Sequence, residues 1–175
     1  TIASTGNSVD FGDLISTKAW SAACSSSVRG VVAGGRVGTD SLINSIEFIT
    51  ISSTGNATDF GDLSDEVGFF SGCSNATRGM FAGGYTPTRV NTIEFITIAT
   101  IGNTQDFGDL TVARGETGAA ASSTRGVWAG GNAPPNLQDA IDYVEILTSG
   151  NAIDFGDLSA VRAGLSGCSN GHGGI

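Results

Sequence analysis

The five residues Asp10-Phe11-Gly12-Asp13-Leu14 (DFGDL) decide how this sequence is read, because the same five letters return three more times. They recur at 59–63, 106–110 and 154–158, at spacings of 49, 47 and 48 residues. A protein kinase uses a single DFG aspartate together with a glycine-rich loop, a paired lysine and an HRD-type catalytic loop. The sequence contains none of those partners. A motif that occurs once per repeat indicates architecture rather than catalysis.

The composition predicts an all-β protein that binds neither nucleic acid nor membrane. The 175 residues include 27 glycines, and Ser and Thr separate short β-branched and aromatic runs. No apolar run approaches the roughly 18 residues of a membrane span. A net charge of −9 would repel a phosphate backbone or an anionic bilayer.

Three further positions keep a fixed distance from the first Asp of each DFGDL motif. A small residue stands at offset 14, at Cys24, Cys73, Ala120 and Cys168. An arginine stands at offset 19, at Arg29, Arg78 and Arg125. A Gly-Gly doublet stands at offsets 24 and 25, at residues 34–35, 83–84 and 130–131.

Each unit of about 48 residues accommodates four strand-like runs. The first is small and apolar (GFFSGCSN, GETGAAASS), the second ends at the Gly-Gly doublet (RGVVAGG), the third is apolar (SIEFITI), and the fourth follows a Gly-Asn turn (ATDFGDL). Four short strands per unit are typical of a propeller blade. We predict one repeat array over residues 1–175, with repeats at about 1–49, 50–96 and 97–144 and a partial repeat at 145–175.

The units resemble kelch repeats in their Gly-Gly doublet, in the IEF or IDY strand about ten residues later, and in the aromatic strand that ends in Leu. Arg114 and Arg162 match the trailing arginine of a kelch blade, while Phe replaces its Trp. The sequence pattern GNATDFGDL followed by STRGxxAGG also resembles tandem-repeat proteins of marine bacteriophages, notably those of cyanobacteria. These resemblances imply a kelch-like β-propeller of four-stranded antiparallel blades, with three complete blades and a split or partial fourth. They also imply a virion or tail-associated protein.

The partial fourth unit leaves three arrangements open: a fragment of a larger ring, a four-bladed ring closed by pairing both termini, or two chains that complete one another. Unpaired strand edges tend to find a partner. We therefore expect other protein subunits as partners, including copies of the same chain.

The DFGDL carboxylates are weak candidates for calcium ligands, because two carboxylates three positions apart offer oxygen atoms that calcium prefers. The favoured alternative is that the Phe fills the core between blades, the Gly permits a bend, and each Asp caps a turn. The eight candidates are Asp10, Asp13, Asp59, Asp62, Asp106, Asp109, Asp154 and Asp157.

The cysteines and arginines of the repeat have structural and functional interpretations. Because alanine replaces cysteine in one unit, the position requires smallness, and we expect buried free thiols. The three repeated arginines are a possible ring that binds an anion. Salt bridges from these arginines to DFGDL carboxylates are the simpler expectation. The lone histidine, His172, accompanies no nucleophile motif.

The segments after the Gly-Gly doublets differ in length, charge and proline content. Divergent loops on a repeated frame are where recognition usually occurs. The candidates for contacts with a ligand are Arg36, Asp40, Tyr85, Arg89, Asn136 and Gln138.

The sequence therefore predicts a non-catalytic structural or adhesive module that needs no cofactor. We expect it on a virion or an extracellular surface after assembly in the cytoplasm. A carbohydrate-binding propeller that recognises a host-surface glycan is the alternative, and a fragment of an enzyme is a third interpretation. Fold-level analogy alone does not decide among them.

Overall fold

The computed structural model describes residues 5–169, and all regular secondary structure within that range is β. The fifteen strands are β1 (Lys18–Ala19), β2 (Ala22–Ser25), β3 (Arg29–Ala33), β4 (Arg36–Val37), β5 (Ser41–Leu42), β6 (Ser45–Thr50), β7 (Thr58–Asp62), β8 (Ser71–Ser74), β9 (Arg78–Ala82), β10 (Thr92–Thr97), β11 (Gln105–Asp109), β12 (Gly118–Ala121), β13 (Arg125–Ala133), β14 (Asn136–Glu145) and β15 (Ile153–Asp157).

Twelve of these strands form three four-stranded antiparallel sheets with the same topology. Sheet 1 has the order β2-β3-β6-β7, sheet 2 has the order β8-β9-β10-β11, and sheet 3 has the order β12-β13-β14-β15. The short strands β1, β4 and β5 form a small fourth sheet. The prediction of an all-β chain with four-stranded antiparallel sheets is confirmed, and the second, third and fourth DFGDL motifs lie in the last strands of these sheets, whereas residues 10–14 form no strand.

The Gly-Gly doublets act as predicted in the first two sheets, where the strand ends immediately before them. Gly34 and Gly35 have φ values of 53° and 104°, a region that residues with a side chain rarely adopt. In sheet 3 the strand instead continues past the doublet to Ala133, with a shift of register between Ala129 and Gly131. The segment that follows the third doublet is therefore a long hairpin and not the predicted loop.

Each of the first three DFGDL motifs is joined to the sheet that follows it by a contact that we call the Gly-Asn clasp. The backbone N–H groups of a Gly and of the second residue after it donate to the carbonyls of the Phe and second Asp of the preceding DFGDL motif. The Asn between these donors accepts a hydrogen bond from the N–H of that Asp. The three clasps join Gly55-Asn56-Ala57 to Phe11 and Asp13, Gly102-Asn103-Thr104 to Phe60 and Asp62, and Gly150-Asn151-Ala152 to Phe107 and Asp109, with all nine donor–acceptor distances between 2.7 and 3.1 Å.

The clasp explains why glycine stands at the centre of the motif. Gly61 has a φ of 143°, and a Cβ atom at this position would lie 2.5 Å from the carbonyl oxygen of Gly102. Gly12 and Gly108 are blocked in the same way by the next clasp. Gly156 has a φ of 136°, but a Cβ atom there would meet no atom of the described residues within 4 Å.

The two internal DFGDL phenylalanines, Phe60 and Phe107, fill the cores between neighbouring sheets. Phe60 is fully buried and packs with residues of sheets 1 and 2, and Phe107 is 2 % exposed in a second core shared by sheets 2 and 3. Phe11 is half-buried, whereas Phe155 is 59 % exposed. The prediction is thus confirmed for the two internal motifs and wrong for Phe155, because no further sheet covers it within residues 5–169.

A second set of hydrogen bonds ties each Gly-Gly doublet to the following unit. The N–H of the second glycine donates to the carbonyl of the residue at offset 8 from the next DFGDL motif. The three bonds join Gly35 to Val67 at 2.8 Å, Gly84 to Arg114 at 2.9 Å, and Gly131 to Arg162 at 2.8 Å. The contacts between units therefore repeat as regularly as the sequence.

Replacement of the motif glycine by alanine should be much more damaging inside the array than at its end. Both Gly61→Ala and Gly156→Ala strain the backbone, at a cost of about 1–3 kcal/mol. Only Gly61→Ala also collides with the Gly102 carbonyl, which should cost about 2 kcal/mol more. Urea unfolding of the two variants at low protein concentration measures the difference, and equal losses would contradict the clasp geometry.

Candidate functional site

Four residues at offset 10 from the DFGDL motifs form a row in the left-handed backbone region. Trp20, Phe69, Glu116 and Gly164 have φ values of 57°, 61°, 61° and 69°. From the second residue on, the backbone N–H donates to the carbonyl of the preceding residue of the set. The three bonds run from Phe69 to Trp20 at 3.1 Å, from Glu116 to Phe69 at 2.6 Å and from Gly164 to Glu116 at 3.0 Å. A positive φ is uncommon for residues other than glycine and often marks a functional position. We call these four residues the left-handed row.

The first two side chains of the left-handed row stack on each other. The rings of Trp20 and Phe69 have centroids 4.0 Å apart with 27° between their planes. The Arg36 guanidinium lies 3.6 Å from the centroid of the Trp20 ring. The Tyr85 and Phe69 rings pack edge to face, with their centroids 6.5 Å apart. Cation–π and aromatic contacts of this kind each contribute on the order of 1 kcal/mol. The aromatic surface is therefore held in place by its neighbours.

This aromatic stack forms one wall of an open groove of about 880 Å³. Trp20 is 43 % exposed and Tyr85 is 38 % exposed in the groove. Asp40, Asp65 and Glu66 supply carboxylates to the groove. Three of the six predicted loop residues, Arg36, Asp40 and Tyr85, are thus brought together there.

Arg89, a fourth predicted residue, lies on the other side of Tyr85. Its Nη2 is 2.6 Å from Oε1 of Glu116 in the left-handed row. Its guanidinium is 5.7 Å from the Tyr85 ring, and its Nη1 is buried without a hydrogen-bond partner. Arg89 also lines an adjoining cavity of about 470 Å³ that it shares with Tyr85.

The remaining two predicted residues, Asn136 and Gln138, do not line the groove. Both belong to β14, where Gln138 pairs with Gly131 across the hairpin and its carbonyl accepts a hydrogen bond from the N–H of Arg162. The expectation that they lie in a recognition loop is wrong, because β13 and β14 extend through the segment after the third doublet.

The arginines at offset 19 do not form the expected salt bridges to DFGDL carboxylates, and the anion ring stays a hypothesis. Each guanidinium lies over an aromatic ring of the third strand of its own sheet, at 4.4 to 4.8 Å. Arg29 and Arg78 also donate to main-chain carbonyls of the next unit, those of Ile98 and Ile146, both at 2.8 Å. Arg125 pairs instead with the exposed Glu145 at 2.7 Å, which raises the pKa of Arg125. Arg29 and Arg78 thus connect neighbouring sheets, whereas the contacts of Arg125 stay within sheet 3.

The DFGDL carboxylates do not gather into larger clusters in the described range. Within residues 5–169, no group of three or more His, Cys, Asp and Glu side chains is arranged to hold a metal ion. Asp10 and Asp154 accept hydrogen bonds from the N–H groups of Gly12 and Gly156, at 3.1 and 3.0 Å, as expected for turn caps. The calcium hypothesis therefore rests on the sequence pattern alone.

Two of the three cysteines are buried free thiols, as predicted. A Cβ atom at Gly79 would lie 2.5 Å from Sγ of Cys24, and one at Gly126 would lie 3.1 Å from Sγ of Cys73. Each thiol therefore packs where the next unit has its Arg-Gly glycine, which explains the need for small residues at both positions. The expectation is wrong for Cys168, which is exposed because no described unit packs on it.

Buried ion pairs, which the sequence analysis missed, anchor the loops that lead into sheets 1 and 3. Lys18 pairs with Glu47 at 2.5 Å and Arg114 pairs with Asp142 at 3.0 Å, with all four side chains at most 1 % exposed. Asp142 also accepts from the N–H of Thr111, as Glu47 does from that of Ile15. Burial lowers the pKa of Arg114, while the Asp142 charge opposes that shift. An acidic residue inside an otherwise apolar third strand was the available signal.

Sheet 2 has the carboxylate without the cation. Glu94 is 8 % exposed and accepts a hydrogen bond from the N–H of Ser64 at 3.2 Å. The position equivalent to Lys18 and Arg114 is occupied by Val67. No cation pairs with Glu94 in the described part of the chain. The buried acids therefore serve chiefly as acceptors for loop N–H groups.

The remaining observations give no independent identification. His172 lies outside the described residues. In residues 5–169 there is no helix with the length and apolar character that crossing a bilayer would need. The chain matches no protein family, and it matches no curated protein at a significant level.

Replacement of a buried carboxylate by an amide should cost more stability where the carboxylate pairs with a cation than where it does not. Asp142→Asn leaves the Arg114 charge buried without a counter-ion and should cost about 3–5 kcal/mol of stability. Glu94→Gln removes an unpaired buried charge and keeps an acceptor for the Ser64 N–H, so its effect should stay within about 1 kcal/mol. Thermal and urea unfolding compare the variants. Similar losses in both would show that the Arg114 pair has no special role.

Thiol reactivity should distinguish Cys168 from the other two cysteines. Burial raises the pKa of the Cys73 thiol to about 12 and raises that of Cys24 as well. At pH 8 only about one Cys73 in ten thousand is then a thiolate, the form that reacts. We expect a thiol reagent to modify the native chain at Cys168 alone and the unfolded chain at three sites. Rapid modification of Cys24 in the native chain would contradict this packing.

Proposed function

We propose that this chain is a non-catalytic module of a kelch-like β-propeller, with a structural or adhesive role in a bacteriophage virion or tail. The observation that carries the proposal is the contrast between invariant and variable positions. The clasps and doublet bonds recur between units, while the left-handed row changes from Trp to Phe, Glu and Gly. A repeated frame with a changing surface suits recognition better than catalysis.

The contacts at both edges of the sheets support a propeller arrangement. The first strands of neighbouring sheets touch, since Ser74 Oγ donates to the Ser25 carbonyl at 2.7 Å and Ser71 Oγ lies 2.5 Å from Thr117 Oγ1. At the other edge, the second and third clasps each bond the last strand of one sheet to the turn that precedes the last strand of the next sheet. Sheets that meet at their first strands and again at their last strands fit blades arranged around an axis.

The groove beside the left-handed row is the surface that we assign to adhesion. The stacked Trp20 and Phe69 offer an apolar platform, and Arg36 and Asp40 add charged groups at its side. Rigid aromatic side chains with a few polar neighbours are typical of binding sites for proteins and small ligands. The natural partner on this proposal is a protein of the virion or of the host surface.

A lectin-like propeller is the second candidate, and the same platform favours it. A sugar ring can place its apolar C–H face on an exposed aromatic ring, while its hydroxyls bond to carboxylate and guanidinium groups. The acidic side chains of the groove would select a neutral or cationic glycan over an anionic one.

Trp20→Ala should weaken adhesion at least tenfold, because it removes the exposed half of the aromatic platform. Val28→Ala is the matched control, since Val28 is 59 % exposed and does not line the groove. Binding of the labelled chain to cyanobacterial cells is measured before and after the cells are treated with protease or periodate.

The cell treatments distinguish the two candidates. Loss of binding after protease supports a protein partner, and loss after periodate supports a glycan. Equal binding by wild type and Trp20→Ala would overturn the assignment of the groove. Absence of binding to every cell type tested, and of binding to any glycan in an array, would contradict an adhesive role.

A further inference from the structure

Strand β15, at the outer edge of sheet 3, contains a fourth clasp acceptor, residues 155–157, to which no Gly-Asn segment of residues 5–169 is bonded. Phe155 is 59 % exposed, while the equivalent Phe60 and Phe107 are at most 2 % exposed. Ile153 on the same strand is also 59 % exposed. Among residues 5–169, no heavy atom lies within 4 Å of a Cβ atom built on Gly156, whereas a clasp blocks that position in each of the other three motifs.

The three filled acceptors define what would fill the fourth. Each takes a Gly-Asn segment whose glycine stands four residues before the first Asp of the next DFGDL motif. The segment supplies two N–H donors to the Phe and Asp carbonyls and one Asn oxygen to the Asp N–H. The occupant is therefore specified by its backbone as well as by its sequence.

The chain contains one further copy of that donor. Gly6-Asn7-Ser8 precedes Asp10 at the same spacing, and residues 5–10 are all exposed. The DFGDL motif that follows it, residues 10–14, is bonded to sheet 1 by the first clasp, so the free donor lies at the opposite end of the array from β15. Because Gly156 is uncovered in the same structure, the donor of a chain does not fill its own acceptor.

We propose that Gly6-Asn7-Ser8 of one copy binds the edge formed by Phe155, Gly156 and Asp157 of a second copy, as a fourth Gly-Asn clasp between chains. The contact is head-to-tail, since donor and acceptor are different surfaces. Contacts of this type continue into a closed ring or an open chain of copies. The inference does not depend on the proposed adhesive function, because it uses no residue of the groove.

Charge should oppose this association and salt should strengthen it. Each copy carries a formal net charge of −9, so two copies repel one another at low ionic strength. The clasp itself consists of backbone hydrogen bonds and apolar burial, which salt screens little. An association driven by opposite charges would weaken with added salt instead.

Sedimentation of the purified chain between about 1 and about 300 µM tests the proposal, since this range covers transient contacts. We expect wild type to self-associate, more strongly in 0.5 M than in about 0.05 M salt. Phe155→Asp and Ser8→Pro, which remove the apolar contact and one N–H donor, should each raise the Kd at least tenfold. Val28→Asp adds the same charge at another exposed residue and should match wild type apart from a small change in salt dependence.

Mixing the two defective variants gives the sharpest test. Phe155→Asp keeps an intact donor and Ser8→Pro keeps an intact acceptor, so each variant alone associates at least about tenfold more weakly than wild type, while the mixture forms 1:1 dimers and nothing larger. Both positions are exposed, so the melting temperatures should stay near that of wild type. A wild type that stays monomeric throughout, association that survives Phe155→Asp, or a mixture that stays monomeric while wild type associates would each overturn the proposal.

Discussion

The backbone hydrogen bonds of the Gly-Asn clasp are the contact on which the rest of this structure depends. A four-stranded sheet cannot bury both of its faces alone, so each sheet needs its neighbours. The clasp fixes how close the neighbours come, because the motif glycines leave no room for a side chain between Gly61 and Gly102. That closeness in turn buries Phe60 and Phe107 completely or nearly so.

The same constraint explains which positions are invariant and which are free to change. Where two sheets touch, the chain has glycine or a small side chain, as where the Cys24 thiol packs against Gly79. Main-chain hydrogen bonds hold the backbone of the left-handed row, so its side chains can differ from unit to unit. The aromatic groove is thus a local variation on a frame that does not require it.

The strands and the small residues that recur in every unit were predicted well from the sequence, because their spacing repeats. Fixed spacing located all four strands of each unit and the small residue at offset 14. The same reasoning failed where one unit differs from the others, as for Phe155, Cys168 and the long hairpin with Asn136 and Gln138. It also missed Trp20 and Phe69, since a stack between residues 49 positions apart appears only when the sheets are assembled. The buried acid Glu47 was visible in the sequence, but its partner Lys18 differs from the Arg and Val of later units.

Native-state hydrogen exchange of the clasp amides tests the central claim most directly. The N–H groups of Gly102, Thr104, Gly150 and Ala152 lie in turns or at strand ends, where isolated hairpins exchange rapidly. If the clasps unite the sheets, these amides exchange only when neighbouring sheets separate, with protection close to that of the central strands. Exchange at the rate of free loop amides, while the strands stay protected, would show that the sheets fold separately and that the clasp does not hold them together.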